Sequence, residues 1–155
     1  MSGKIEARLK ELGLELPAAT APIANYVPFT RSGGLVVVSG QVSVRDGKPE
    51  FVGKLGREIS VAEGQRAARL CALNILAHAK TACDGDLDRV KRVLRLGGFV
   101  NCMPEFTQMP QVVNGASDLM GELFGDAGKH ARAAVGVASL PLGVAVEVEA
   151  MFEIA

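Results

Sequence analysis

The 155-residue chain is long enough for one domain with a buried core, and 48% hydrophobic against 22% charged residues excludes a disordered polymer. Lys+Arg and Asp+Glu balance at 17 each, which argues against a non-specific nucleic-acid binder, because displacing phosphate counterions needs a basic surplus. Aromatics make up 5% and tryptophan is absent, so valine, leucine and alanine must build the core. Cys71, Cys83 and Cys102 have neither metal-ligand spacing nor the even count of a disulfide framework, and read as reduced thiols. The charged N-terminus does not resemble a signal peptide, and Pro141 and the glutamates interrupt the apolar tail. A cytoplasmic protein with no membrane partner is expected.

Residues 3–13 predict a short helix with Ile5, Leu9 and Leu12 on one face, ended by Gly13. A helix so short needs something to dock on. Pro17, Pro22 and Pro28 then favour extended chain through residues 15–31. This stretch carries Tyr26, the only tyrosine, which by itself reads as a packing or interface residue. Gly33-Gly34 turns into LVVVSGQVSV (35–44), whose apolar first half suits a strand buried on both faces. Ser39-Gly40 suggests a bulge just before Gln41, and Asp46-Gly47 is a hairpin-turn signal.

Ser60 and Glu63 have capping-box spacing and open a long helix over 61–83. Asn74 on this helix needs a hydrogen-bond partner if buried. His78 has no second ligand at metal spacing and reads as a helix-surface histidine. In RVKRVLR (89–95) the charges interleave with valine and leucine, as on the solvent side of a strand. A strand over 90–103 is expected to break at Gly97-Gly98, and Pro104 and Pro110 to frame a turn before a helix over 111–125. Two strands around SLPLG (139–143) finish the chain. Arg132 stands at the head of the first; Glu147, Glu149 and Glu153 share one parity of the second. A guanidinium facing a carboxylate there is either a clamp for a small organic acid or a plain ion pair. The two strands are expected to form a hairpin with Ala134 opposite Glu147, which puts Arg132 and Glu147 on one side; Ala134 opposite Val146 or Val148 would put them on opposite faces and sink the pairing of their roles. His130, two residues before Arg132, is within reach of the same place or is simply a loop histidine.

The elements predict an α/β (α+β) domain over residues 1–155: a short N-terminal helical extension (1–15), then β-β-α-β-α-β-β, a mixed sheet with two long helices on one face. The uncovered face favours burial against further copies in a closed ring.

Five segments, in order over about 125 residues, resemble the RidA/YjgF family, the reactive-intermediate imine deaminases, also labelled the endoribonuclease L-PSP family. They are NY (25–26), VVVSGQVSV (36–44), AARLCALNILA (67–77), VVNGASDLMGELF (112–124) and ARAAVGVASLPLGVAVEVEA (131–150). The resemblance implies a chorismate-mutase-like fold and a homotrimer whose sheets form an inner barrel, with sites at subunit interfaces. It implies hydrolysis of 2-aminoacrylate- and 2-iminobutanoate-type imines to 2-oxo acids and ammonia, with no cofactor and no metal. By the same resemblance Arg132 clamps the substrate carboxylate and Glu147 positions or activates water. Tyr26 and Asn114 line or support the site, and Gly40 and Gln41 lie near it. Ala134 stands where many members have a cysteine, and both the N-terminal helix and the loop over 97–110 depart from the family pattern. A non-catalytic module binding a small carboxylate metabolite or a protein is the alternative. Ribonuclease activity fits less well with the neutral charge and the lack of paired catalytic histidines.

Overall fold

The structure, a computed structural model, describes residues 3–19, 21–22 and 24–155. Helix α1 spans Lys4–Glu11 and buries Leu9. Its free amides find a distant cap: the Asp88 carboxylate accepts from the backbone N–H of Lys4 and of Ile5, both at 3.0 Å. Strands β1 (Phe29–Ser32) and β2 (Leu35–Val42) form an antiparallel pair. A register shift between Val38 and Gln41 is the bulge expected at Ser39-Gly40. Strands β3 (Val44–Arg45) and β4 (Lys48–Pro49) close over Asp46 and Gly47, both at positive φ as such a turn requires.

Helix α2 (Val61–Ala82) starts at the complete capping box. Ser60 Oγ accepts from the Glu63 amide at 3.2 Å, and the Glu63 carboxylate accepts from the Ser60 amide at 2.8 Å. Strand β5 (Val90–Asn101), helix α3 (Met109–Phe124), strand β6 (Ala131–Val137) and strand β7 (Val146–Ile154) follow. The main sheet runs β1-β2-β7-β5-β6; β6 is parallel to β5 and the other neighbours are antiparallel. Both long helices pack on one face, α2 across β2 and β7, α3 across β5 and β6. This is the expected β-β-α-β-α-β-β fold, with the β3–β4 hairpin as an appendage. A side chain at Gly115 would overlap the Gln65 carbonyl, so α3 approaches α2 closely only because that residue is glycine.

Four local expectations need correction. The last two strands do not form a hairpin: β6 pairs only with β5, and β7 lies between β2 and β5. Strand β5 runs unbroken through Gly97-Gly98, because β7 and β6 hold it on both sides. Pro110 belongs to the first turn of α3, where its missing N–H costs no helical bond. His78 is 2% exposed rather than on the surface. Every residue of α2 from Leu70 to Ala79 is buried, the sheet covering one side and the segment of Leu9, Leu14 and Leu16 lying along Ala77, Lys80 and Thr81. Burial lowers the His78 pKa.

The other face of the sheet is open. Val37, Phe99 and Met151 are half-buried there, and Val135 on edge strand β6 is 45% exposed. Along β5 the basic run does not alternate simply, since two register shifts put Val90, Val93 and Leu96 inward and Lys91, Arg92 and Leu94 outward. No helix among the described residues is long and apolar enough to cross a membrane.

Candidate functional site

The parallel β5–α3–β6 crossover lays β6 along the sheet edge beside α3. Register pairs Arg132 with Leu96 and Ala134 with Gly98, so the Arg132 side chain rises on the helix-covered face. There it meets one side of the first turns of α3. Arg132 Nη1 donates to Asn114 Oδ1 at 2.8 Å and to Ser117 Oγ at 3.1 Å; Nη2 donates to the Pro110 carbonyl at 3.3 Å. Asn114 and Ser117 are three apart, one helical turn, and therefore point the same way. A guanidinium has five N–H donors. The three bonds leave the Nε–H and one Nη2–H without a protein partner among the described residues. Those two donors form a fork that matches a carboxylate.

His130 joins the same network. Its Nε2 lies 2.8 Å from Ser117 Oγ and its Nδ1 2.6 Å from the Gly128 carbonyl. Ser117 escaped the sequence reading; the signal was its spacing from Asn114, three residues on, along the expected helix.

The carboxylate lies elsewhere. On β7, Val146, Val148 and Ala150 are buried under the helices while Glu147, Glu149 and Met151 face the open side. Glu147 pairs with Val42 of β2 and Phe99 of β5. Gly98 pairs with both Ala134 and Val148, which puts Ala134 in line with Val148 across β5. Arg132 and Glu147 of one chain therefore occupy opposite faces of the sheet, and the expected register, Ala134 opposite Glu147, does not exist. The insertion of β5 removes the direct pairing, and the registers on its two sides put Arg132 in line with Ala150, on the other parity of β7 from Glu147.

Glu147 instead sits over the bulge in β2. A Cβ on Gly40 would overlap its carboxylate, so glycine here is what admits the acid. Burial first, and then the neighbouring Glu149, raises the Glu147 pKa above the usual carboxylate range. Tyr26, 47% exposed, borders a cleft with Pro28, Gly40 and Gln41. That cleft is about 40 Å³, room for only a few waters. A larger groove, about 690 Å³, lies between α1 and the C-terminal half of α2 and touches none of these residues. Of the expected site residues, then, Arg132 and Asn114 meet at the β6 edge, with Ala134 on the same face of β6. Glu147, Gly40, Gln41 and Tyr26 group around β2 and β7.

A family model described as "YjgF/chorismate_mutase-like, putative endoribonuclease" matches residues 6–154. The chain belongs to the YjgF/chorismate-mutase-like family. Among relatives it is 51% identical to Protein TCP17 of Trypanosoma cruzi, over 99% of this chain and 96% of that one. The crystal structure of Atu1372 from Agrobacterium tumefaciens, a protein of unknown function, is 53% identical with a TM-score of 0.92, covering 98% of this chain and 93% of that one. A Shewanella oneidensis protein whose crystal structure is described as that of "a putative endoribonuclease" is 39% identical with a TM-score of 0.93, covering 97% of this chain and 99% of that one. Membership in the YjgF family thus covers the whole sheet and both long helices, including β6 and β7, which carry Arg132 and Glu147.

Proposed function

We propose that the protein is an enamine/imine deaminase that hydrolyses 2-imino acids to 2-oxo acids and ammonia, working as a homotrimer with sites shared between subunits. The observation that carries this reading is the fastened Arg132, with two donors left as a fork for a carboxylate. The open sheet face, the exposed β6 edge and the small single-chain cleft support a shared site. A neighbouring copy is needed to bring a Glu147, with its Tyr26, Gly40 and Gln41, toward Arg132.

The chemistry asks little of the protein. Arg132 and Asn114 hold the substrate by its carboxylate and so fix C2. Glu147 accepts a proton from water as the water oxygen adds to C2 and the C=N electron pair moves onto nitrogen. Glu147 passes that proton to the nitrogen, giving the 2-amino-2-hydroxy acid; it then moves the C2 hydroxyl proton to the nitrogen, the C–N bond breaks, and ammonia leaves as C=O forms. Burial, and then Glu149, raises the Glu147 pKa, which makes it a stronger proton acceptor than an exposed carboxylate. No protein thiol enters any step, so Ala134 is compatible with turnover. The deciding assay follows ammonia release from 2-iminobutanoate generated in situ. Wild type accelerates it and Arg132→Ala does not; an Arg132→Ala variant as fast as wild type would overturn the proposal.

A second reading has its own observation, the placement of Arg132 and Glu147 on opposite faces of one chain. It is a module that captures a small carboxylate without converting it. Saturable binding of a 2-oxo acid that is lost in Arg132→Ala, with no ammonia release, would select this reading.

A further inference from the structure

Arg132 is held by a second tier that its own position does not explain. The Gly128 carbonyl can only accept, so His130 Nδ1, 2.6 Å away, carries a proton, and the contact selects the Nδ1–H tautomer. That leaves the Nε2 lone pair facing Ser117 Oγ at 2.8 Å, and Ser117 must donate its single hydroxyl proton there. With its proton committed, the Ser117 oxygen turns its lone pairs outward and accepts from Arg132 Nη1 at 3.1 Å. The bonds run in one direction, Arg132 to Ser117 to His130 to Gly128, and each polarises the next. Without His130 the hydroxyl has a competing acceptor. A helical serine readily donates to the carbonyl four residues back, here Val113, which rotates its lone pairs away from Arg132.

We propose that His130 is a positioning residue: acting through Ser117, it sets the plane of the Arg132 guanidinium and so aims the free fork at a carboxylate. The inference rests on the reading of Arg132 as the carboxylate clamp. Three features make the tier a built one. The peptide carbonyl sets the tautomer of His130. Ser117 and Asn114 grip the same nitrogen, Nη1, and thereby leave the Nε edge for ligand. His130 lies two residues before Arg132, where the chain enters β6, so one short segment carries both side chains.

The test compares wild type with Ser117→Ala, His130→Ala, His130→Gln and Arg132→Ala, all assembled as isolated. Glutamine can accept from Ser117 and donate to the carbonyl, so it is the rescue variant. The first readout needs no ligand: rotation of the Arg132 Nη groups by nitrogen-15 NMR, the signals assigned by their loss in Arg132→Ala. Rotation is expected to be slow in wild type and His130→Gln, and fast in Ser117→Ala and His130→Ala. The second readout is 2-iminobutanoate hydrolysis. Losing one hydrogen bond to a charged group is expected to raise KM about tenfold in Ser117→Ala and about threefold in His130→Ala, with kcat held and glutamine restoring KM. A purely structural role would instead change thermal stability and leave Nη rotation alone. If His130→Ala keeps both slow rotation and the wild-type KM, the inference is wrong. If Arg132→Ala keeps full turnover, the clamp reading falls, and the aiming role of the tier falls with it.

Discussion

The two halves of the candidate site are built on opposite terms. At the β6 edge, Arg132 is tied down by its own chain: three hydrogen bonds to α3 and a further pair behind Ser117. Over the β2 bulge, Glu147 has no hydrogen bond or ion pair among the described residues, only desolvation and a second acid beside it. The first half is preorganised before any partner or ligand arrives. The second has no partner within its chain among the described residues; solvent reaches it, and half-burial makes its ionisation costly. The contrast is between a guanidinium that one chain fastens and a carboxylate that it does not; under the proposed function a second copy completes the latter.

Two substitutions press on that contrast, the larger effect first. Gly40→Ala pushes the Glu147 carboxylate off the bulge while disturbing only the flexible end of one side chain. A displacement of about 1 Å costs about 100-fold in rate, so kcat/KM is expected to fall about 10- to 100-fold. The thermal midpoint should move by less than about 2 °C, because the obstacle can swing away. A variant that loses stability and keeps its rate would mean that Gly40 serves the backbone and not Glu147.

Glu147→Gln is expected to have a smaller, pH-dependent effect on stability. The folded Glu147 pKa is raised, by burial first and by Glu149 second. The folded state therefore binds the proton more tightly than the unfolded state, whose carboxyl titrates near about 4.3. Below that value no penalty exists; as pH rises through the folded value, ionisation costs the fold stability. Glutamine removes the cost. The urea midpoint of Glu147→Gln should exceed that of wild type at pH 7, and the gap should close at about pH 4. The opposite sign at pH 7 would place a cation, such as a neighbouring copy's Arg132, against Glu147 and outweigh its burial within the chain.

Much of the fold was legible from residues because its signals are local. Ser60 with Glu63 began α2. Asp46-Gly47 closed a hairpin, and Ser39-Gly40 marked a bulge. Arg132 with Asn114 followed from the family resemblance and met in the structure. What failed was non-local. Consecutive strands often pair, yet a parallel β5–α3–β6 crossover leaves β6 on the edge and lets β7 take the far side of β5. No residue near Arg132 or Glu147 encodes that insertion. His78 failed for a similar reason: its burial depends on what covers the side of α2 away from the sheet. The tier of Ser117 and His130 lay between, since His130 was within reach of the site, whereas Ser117 needed the helix face to be known.

The central claim is that a working site takes Arg132 from one copy and Glu147 from another. Subunit mixing tests it directly. Arg132→Ala and Glu147→Gln, each inactive alone, are refolded together in equal amounts and assayed for ammonia release. Random assembly leaves both residues intact at about one interface in four, so about a quarter of wild-type activity should return. A mixture no more active than its two components, with mixed assemblies verified by mass, would contradict the claim.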